Sequence, residues 1–195
     1  MAASKKRVVI LFGGKSGEHE VSIVSATGVY KALDRSRYDV TLIGIDKAGR
    51  WLLPQESHLL AQSSNPKLVN LGSEKASAGL LPAESNKTRL QEADVVLPII
   101  HGSNGEDGTL QGLLELADLP YVGSGVLGSS VCMDKDMAKR VLRDAGIPVV
   151  PFLTVRLADY KQDARKIVSE AAARFGYPYF VKPANAGSSV GVGKI

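Results

Sequence analysis

The sequence predicts an α/β protein, a parallel-sheet domain followed by the start of a second domain. Residues 8–12 form a short continuous apolar run ending at Gly13-Gly14, the pattern of a buried strand entering a tight turn. A helical pattern follows, and then a β-branched run over 38–46. Strand, glycine turn, helix and strand open a βαβ unit, whose strands are parallel. The pattern then changes across the proline-flanked stretch 146–151. Before it strands and helices alternate, and after it a helix precedes a strand–loop–strand. That break sets expected domain limits of 1–148 and 149–195.

Each element has its own cue. Val21, Val24, Gly28 and Ala32 fall at i, i+3, i+7 and i+11, which predicts the buried face of the first helix. Val40, Thr41, Ile43 and Ile45 mark the second strand. Residues 54–92 scatter Pro, Ser, Asn and Gly among short apolar pieces and predict surface excursions with one or two short strands. Within them, Asn86-Lys87-Thr88 matches a glycosylation sequon, to which an intracellular reading gives no weight. Residues 94–100 predict a strand, 101–108 a polar loop, and Leu110, Leu113, Leu114 and Ala117 an amphipathic helix. Tyr121-Val122 is a short strand candidate. Met137, Ala138, Val141, Leu142 and Ala145 line a helix stopped by Gly146 and Pro148. Residues 152–155 look like a strand, and Tyr160, Ala164, Ile167, Val168, Ala171 and Phe175 form one long helical stripe. Strands over 179–182 and 190–195 flank the loop 183–189.

Composition narrows the function. Of 195 residues, 44% are hydrophobic and 23% charged, ordinary values that exclude disordered, collagenous and coiled-coil classes. No apolar run approaches the roughly 18 residues of a membrane span. Lys5-Lys6-Arg7 has the charge of a signal peptide, but the apolar run behind it is too short and ends in Gly-Gly. A cytoplasmic location is expected. Cys132 is the only cysteine, so neither an internal disulfide framework nor a multi-cysteine metal site is available. Lys and Arg outnumber Asp and Glu by 24 to 20, an excess that suits a small anionic ligand. It forms no basic run of the kind nucleic acid requires.

Two motifs are decoys. Gly13-Gly14-Lys15-Ser16 lacks the upstream glycine of a P-loop, because Val9 occupies that position inside the strand. A tight strand-to-helix turn is the expected role. Gly123-Ser124-Gly125-Val126-Leu127-Gly128 satisfies a dinucleotide fingerprint literally, but has a strand of barely two residues before it and a proline break about 20 residues on. A substrate-lining or structural turn is expected there.

Three stretches point to chemistry. Glu18-His19-Glu20 opens the first helix, where acids favour the helix dipole. One of these carboxylates could instead face a cationic ligand, because open α/β folds place ligands at the carboxyl ends of their strands. The loop from His101 to Gly108 holds a histidine, an asparagine, two acids and three further glycines at another such end. Lys182 leaves an apolar strand just before a small-residue loop containing Ser188, Ser189, Val190 and Gly191. Backbone N–H groups, hydroxyls and a cation suit phosphate oxygens, although a plain long-looped hairpin would look similar.

These residues resemble the D-alanine–D-alanine ligases of the ATP-grasp superfamily. The match runs through Phe12-Gly13-Gly14-Lys15-Ser16-Gly17-Glu18-His19-Glu20-Val21-Ser22, the stretch HGSNGEDGTLQG from His101 to Gly112, Gly123-Ser124-Gly125 through Met133-Asp134-Lys135, and Val181-Lys182-Pro183 with Gly187-Ser188-Ser189-Val190-Gly191. The second stretch is the most specific and the last the loosest. The resemblance implies a Rossmann-like parallel-sheet domain followed by the beginning of an ATP-grasp domain. It implies ATP-dependent joining of two D-alanines through an acyl phosphate, for peptidoglycan precursors. Glu18 would pair with the ammonium of the first D-alanine, Ser188 would help orient Glu18, and His101 would lie beside that substrate. Lys135 and Lys182 would hold ATP phosphates under a flap formed by Ser188, Ser189, Val190 and Gly191. Magnesium would bridge the phosphates, and its ligands, like those of adenine, would lie beyond Ile195. Family analogy points to a homodimer. The resemblance covers the first half of a family member, so the chain is expected to be truncated and, as residues 1–195 alone, inactive. The rival expectations are a ligase joining D-alanine to D-lactate or D-serine, and a non-catalytic binding fragment.

Overall fold

Five consecutive apolar residues on one strand must be covered on both faces, and that requirement organises the first part of the chain. The computed structural model describes residues 4–52, 55, 57, 58, 61 and 89–195. They divide into two compact units, Met1–Ser130 and Val131–Ile195. The boundary at 148/149 read from the proline-flanked break remains a proposal.

In the first unit, β1 (Lys6–Gly13) lies between β2 (Tyr38–Ile45) and β3 (Val95–Ile99), parallel to both. Val8 pairs with Val40 on one side and Val95 on the other. Side chains alternate across a strand. Val9 and Leu11 therefore join Ile43, Val96, Leu110 and Leu114 on one face, while Ile10 and Phe12 join Ile23, Ala26 and Leu42 on the other. Helix α1 (His19–Ala32) covers the second face and α2 (Thr109–Leu116) the first. Full burial of one Leu or Phe contributes about 1.5–3 kcal/mol, so β1 anchors the unit.

The helix α1 forms where the sequence places it, but its buried face is a different one. Val21 and Val24 are 53% and 66% exposed, and Gly28 and Ala32 are exposed with them. His19, Ser22, Ile23 and Ala26 face the sheet instead. The reason is hydrogen bonding. Ser22 Oγ accepts the Gly13 N–H at 2.7 Å and donates to the Ile99 carbonyl, so a polar residue is more useful inside than a valine. His19 Nδ1 donates to the Gly14 carbonyl at 2.7 Å.

Gly13 and Gly14 have φ of 91° and 92° and turn the chain from β1 into α1. A Cβ on Gly13 would lie 2.2 Å from the Ile45 carbonyl oxygen, so the turn requires glycine there. The Gly14 N–H donates to that same oxygen. Gly13-Gly14-Lys15-Ser16 is thus a tight turn, as its failed P-loop spacing implies. Tyr121 makes a single parallel bridge to Val96 rather than a strand. Of residues 54–92, 55, 57, 58, 61 and 89–91 are helical, and the one or two short strands expected in this stretch are not seen among its described residues. The Asn86 sequon lies outside the described residues. The Gly123–Gly128 motif leads into a helix the sequence reading did not anticipate, α3 (Val126–Met133), within which the division between the units falls.

The second unit contains α4 (Lys135–Asp144), α5 (Leu157–Gln162), α6 (Ala164–Phe175) and a two-stranded antiparallel sheet of β4 (Phe180–Val181) and β5 (Gly193–Lys194). The expected single stripe from Tyr160 to Phe175 is broken at Asp163, whose carboxylate accepts the Lys166 N–H and starts α6 afresh. Residues 152–155 are not a strand. Thr154 donates to Asp136 Oδ1 at 2.5 Å and ties that segment to α4.

Asp107 fastens the loop before α2 by accepting the N–H groups of Asn104 and Thr109. Burial pushes its carboxyl up, but the hydrogen bonds from Asn104 and Thr109 outweigh it and hold the group below its ordinary value. A lowered folded-state pKa contributes stability above the usual carboxylate range that is lost as pH falls through the folded value. Asp107→Asn should therefore flatten the acid limb of an unfolding-midpoint-against-pH curve. An unchanged acid limb would remove Asp107 from that role. Ser22→Ala leaves a buried N–H and C=O without their shared partner and should lower unfolding free energy by about 1–3 kcal/mol in urea. Ser103→Ala, in the exposed loop, should change it by less than about 0.5 kcal/mol.

Candidate functional site

The order β2-β1-β3 makes the chain leave β1 in one direction and later return on its other side. A crevice at the carboxyl ends of β1 and β3 results, and this is where open α/β sheets place ligands. Glu18 arrives there from the turn after β1, and His101 from the loop after β3.

Glu18 occupies the N-cap position just before α1 begins at His19, but its side chain makes no capping hydrogen bond to the helix. A Cβ placed on Gly102 would lie 2.9 Å from Glu18 Oε2, so the carboxylate rests against the backbone of the His101 loop. Gly102 has φ of 75°, a left-handed conformation that suits glycine. Its N–H donates to Glu106 Oε2 at 2.7 Å. The His101 ring lies between Ser25, whose Oγ is 3.0 Å from Nε2, and Glu106, whose Oε1 is 4.0 Å from Nδ1. Ser16 Oγ donates to the His101 carbonyl and accepts the Glu18 N–H. Glu18 and His101, both singled out from sequence, are thus brought together. Glu20, the other acid of the triplet, is committed elsewhere. Its hydrogen bond from Lys47 at 2.6 Å holds its carboxyl below the usual range.

Such an arrangement offers a carboxylate and an imidazole at one mouth. A primary ammonium beside a carboxylate, as in a free α-amino acid, is the kind of group it can hold.

The remaining predicted residues lie in the second unit. Lys135 begins α4, and its N–H and ammonium reach the loop after β4. The N–H donates to the Ala184 carbonyl at 3.0 Å, and Nζ donates to the carbonyls of Ala186 and, at 3.5 Å, Ala184. Asp134 caps α4 with Oδ1 and receives Asn185 Nδ2 on Oδ2 at 3.2 Å. Lys182 is exposed at the end of β4. Ser188, Ser189 and Gly191 all have positive φ, of 47°, 60° and 70°, and Val190 lies between them. Lys135 is therefore joined to the same loop that carries Ser188, Ser189, Val190 and Gly191. Lysines, hydroxyls and a turn-rich backbone fit a phosphate-bearing group by donor chemistry. Among the described residues no group of three or more His, Cys, Asp or Glu side chains could hold a metal ion, so no magnesium site is assigned. No helix among them is long and apolar enough to cross a membrane.

Sequence reading missed Ser16, Ser25, Gly102 and Glu106. Their roles arise only when segments up to 85 residues apart in sequence meet. The one local signal was the spacing of Glu106 four residues after Gly102, a turn that lets a carboxylate reach back to a loop N–H.

Comparison with known proteins gives one answer. Family models match in two pieces, D-ala D-ala ligase N-terminus over residues 7–124 and D-ala D-ala ligase C-terminus over residues 141–195. The D-alanine--D-alanine ligase of Shouchella clausii (strain KSM-K16) is 50% identical over 98% of this chain and 53% of its own length. The structure of the D-alanine-D-alanine ligase from Coxiella burnetii superposes with a TM-score of 0.81 at 41% identity, covering 98% of this chain and 56% of the other. VanG D-Ala:D-Ser ligase from Enterococcus faecalis gives 0.75 at 34% identity, covering 98% of this chain and 55% of the other. The chain spans about half the length of the curated relatives it matches. With both family models matched in chain order and the conserved fold beneath them, the chain belongs to the D-ala D-ala ligase family.

Proposed function

We propose that these residues form the first-substrate site and part of the nucleotide site of a ligase that joins two D-alanines at the expense of ATP. The observation that carries the reading is the meeting of the Glu18 carboxylate and the His101 loop at the crevice between β1 and β3. Names of the relatives supply the substrate.

In this reading the ammonium of the first D-alanine pairs with Glu18, and His101 lies beside the same molecule. Its carboxylate oxygen attacks the γ-phosphorus of ATP, and the bond from that phosphorus to the bridging oxygen of ADP breaks. The amine of the second D-alanine then attacks the carbonyl carbon of the acyl phosphate. Phosphate leaves, the amine loses its proton, and D-alanyl-D-alanine remains. Lys135 and Lys182 neutralise phosphate charge while the loop bearing Ser188, Ser189, Val190 and Gly191 encloses it. Holding reactants in place and balancing charge are the main contributions a protein makes to such a transfer. Magnesium is expected from the family, but no step is assigned to it. A peptidoglycan-precursor role in the cytoplasm, and a homodimer, belong to the same proposal.

A second reading, D-alanine joined to D-serine, is favoured by the likeness to VanG. Product analysis with D-alanine alone and with added D-serine separates the two.

The tests use the longest chain that carries this sequence. Glu18→Gln should weaken use of D-alanine by about 1.5–3 kcal/mol, the range for a charge-assisted hydrogen bond, with nucleotide affinity little changed. Unaltered D-alanine kinetics would remove Glu18 from the site. Lys182→Ala should do the reverse, lowering nucleotide affinity and turnover while amino-acid binding persists. If both nucleotide measures stayed the same, Lys182 would be only a solvated lysine at a strand end.

A further inference from the structure

Ser16 lies two residues before Glu18, yet its hydroxyl reaches across the crevice. Oγ is 2.6 Å from the His101 carbonyl oxygen and 3.1 Å from the Glu18 nitrogen. A carbonyl can only accept and an amide N–H can only donate, so the single hydroxyl proton points to His101 and a lone pair to Glu18. Both capacities are used at once, each on a residue of the proposed amino-acid site. The packing is close: a Cβ on Gly102 would lie 3.2 Å from Ser16 Cβ and 3.3 Å from Ser16 Oγ. The His101 ring meets Ser25 Oγ instead, 3.0 Å from Nε2, with Glu106 Oε1 4.0 Å from Nδ1. Ser16 thus governs the backbone of the site and leaves the imidazole to other groups.

We propose that Ser16 is a positioning residue for the α-amino-acid ligand, its hydroxyl setting the separation of the Glu18 carboxylate from the His101 loop. This rests on the reading of Glu18 and His101 as the first-substrate site. Ser16 touches no reacting atom in this scheme. It acts through the two residues that do the binding, where small displacements matter: about 1 Å of misplacement costs on the order of a hundredfold in rate. Loss of a hydroxyl that fixes two backbone segments should shift them by less than that, and an effect near tenfold is expected.

The experiment compares the unsubstituted chain with Ser16→Ala, Ser16→Thr and Glu18→Gln, in the longest chain that carries this sequence. D-alanine is titrated while the backbone amide signals of Glu18 and Gly102 are followed by NMR. KM for D-alanine and for ATP, and the thermal midpoint, are measured on the same proteins. Ser16→Ala should raise the D-alanine concentration needed for half-saturation, and its KM, about tenfold. KM for ATP should stay within about twofold, and Ser16→Thr, which keeps the hydroxyl, should recover most of the loss. D-alanine binding lost in Glu18→Gln but normal in Ser16→Ala would overturn the role of Ser16 and leave the function reading intact. Equal losses for D-alanine and ATP with a lowered thermal midpoint, or no recovery in Ser16→Thr, would make Ser16 merely structural. Absence of any D-alanine-dependent shift in the unsubstituted chain would overturn both readings.

Discussion

The site depends on one buried hydroxyl. Ser22 Oγ accepts the N–H of the last residue of β1 and donates to the carbonyl of the last residue of β3. Those groups lie beyond the reach of the regular ladder, where the two strands part to form the crevice. Without Ser22 they would face an apolar interior, because Ser22 is fully buried. An unmet buried polar group costs about 1–3 kcal/mol, more than a typical hydrogen bond contributes. The hydroxyl therefore holds three elements in one arrangement: the end of β1, the end of β3 and the first turn of α1.

Everything nearer the proposed amino-acid site is built outward from that point. One turn before Ser22 stands Glu18, and two residues after Ile99 stands His101. Fixing Ser22 against both strand ends leaves little freedom in the distance between the loops that carry them. Ser16, Ser25 and Glu106 then divide the remaining freedom among themselves. The ion pair of Lys47 with Glu20 is shorter than several of these hydrogen bonds, at 2.6 Å. It nevertheless matters less. The lysine side chain is 62% exposed, and exposed pairs contribute about 0–1 kcal/mol once solvent screening and side-chain entropy are counted. Burial ranks these interactions better than distance does.

The same ranking explains what could be read from sequence. Residues 8–12 were legible as a strand because burial on both faces leaves an uninterrupted apolar run, and 94–100 because residues 95–100 are likewise unbroken by a polar residue. Glu18 and His101 were legible as candidate site residues because each follows such a run by a few positions, and because the stretches around them resemble a known family. The inward face of α1 was not legible. Val21 and Val24 have the hydropathy of a core and the right spacing, while His19 and Ser22 look like surface residues. Which side turns inward was decided by two backbone groups at strand ends needing a hydroxyl, and the run of helix residues carries no trace of that. Asp163 shows the complementary failure. It lies inside an otherwise continuous stripe, and hydropathy periodicity has no symbol for a carboxylate that caps a new helix.

In the second unit polar contacts hold the loop that follows β4. None of its helices has a buried residue. The loop after β4 is held by the Lys135 ammonium on the carbonyls of Ala184 and Ala186, and by Asn185 on Asp134. Ser188 and Ser189 are kept left-handed, which costs of order 1–3 kcal/mol for each residue that is not glycine. Gly191 must be glycine for a second reason, since a Cβ there would lie 2.8 Å from Pro183 Cγ. Neutral carbonyls are weak partners for an ammonium. A phosphate oxygen makes a hydrogen bond roughly twice as strong as a neutral acceptor does. Under the proposed function a nucleotide phosphate would thus compete for Lys135 with the carbonyls of Ala184 and Ala186. Under that proposal the amino-acid site is set by the fold of the first unit before any ligand arrives, whereas the phosphate-binding loop of the second unit is completed by the ligand itself.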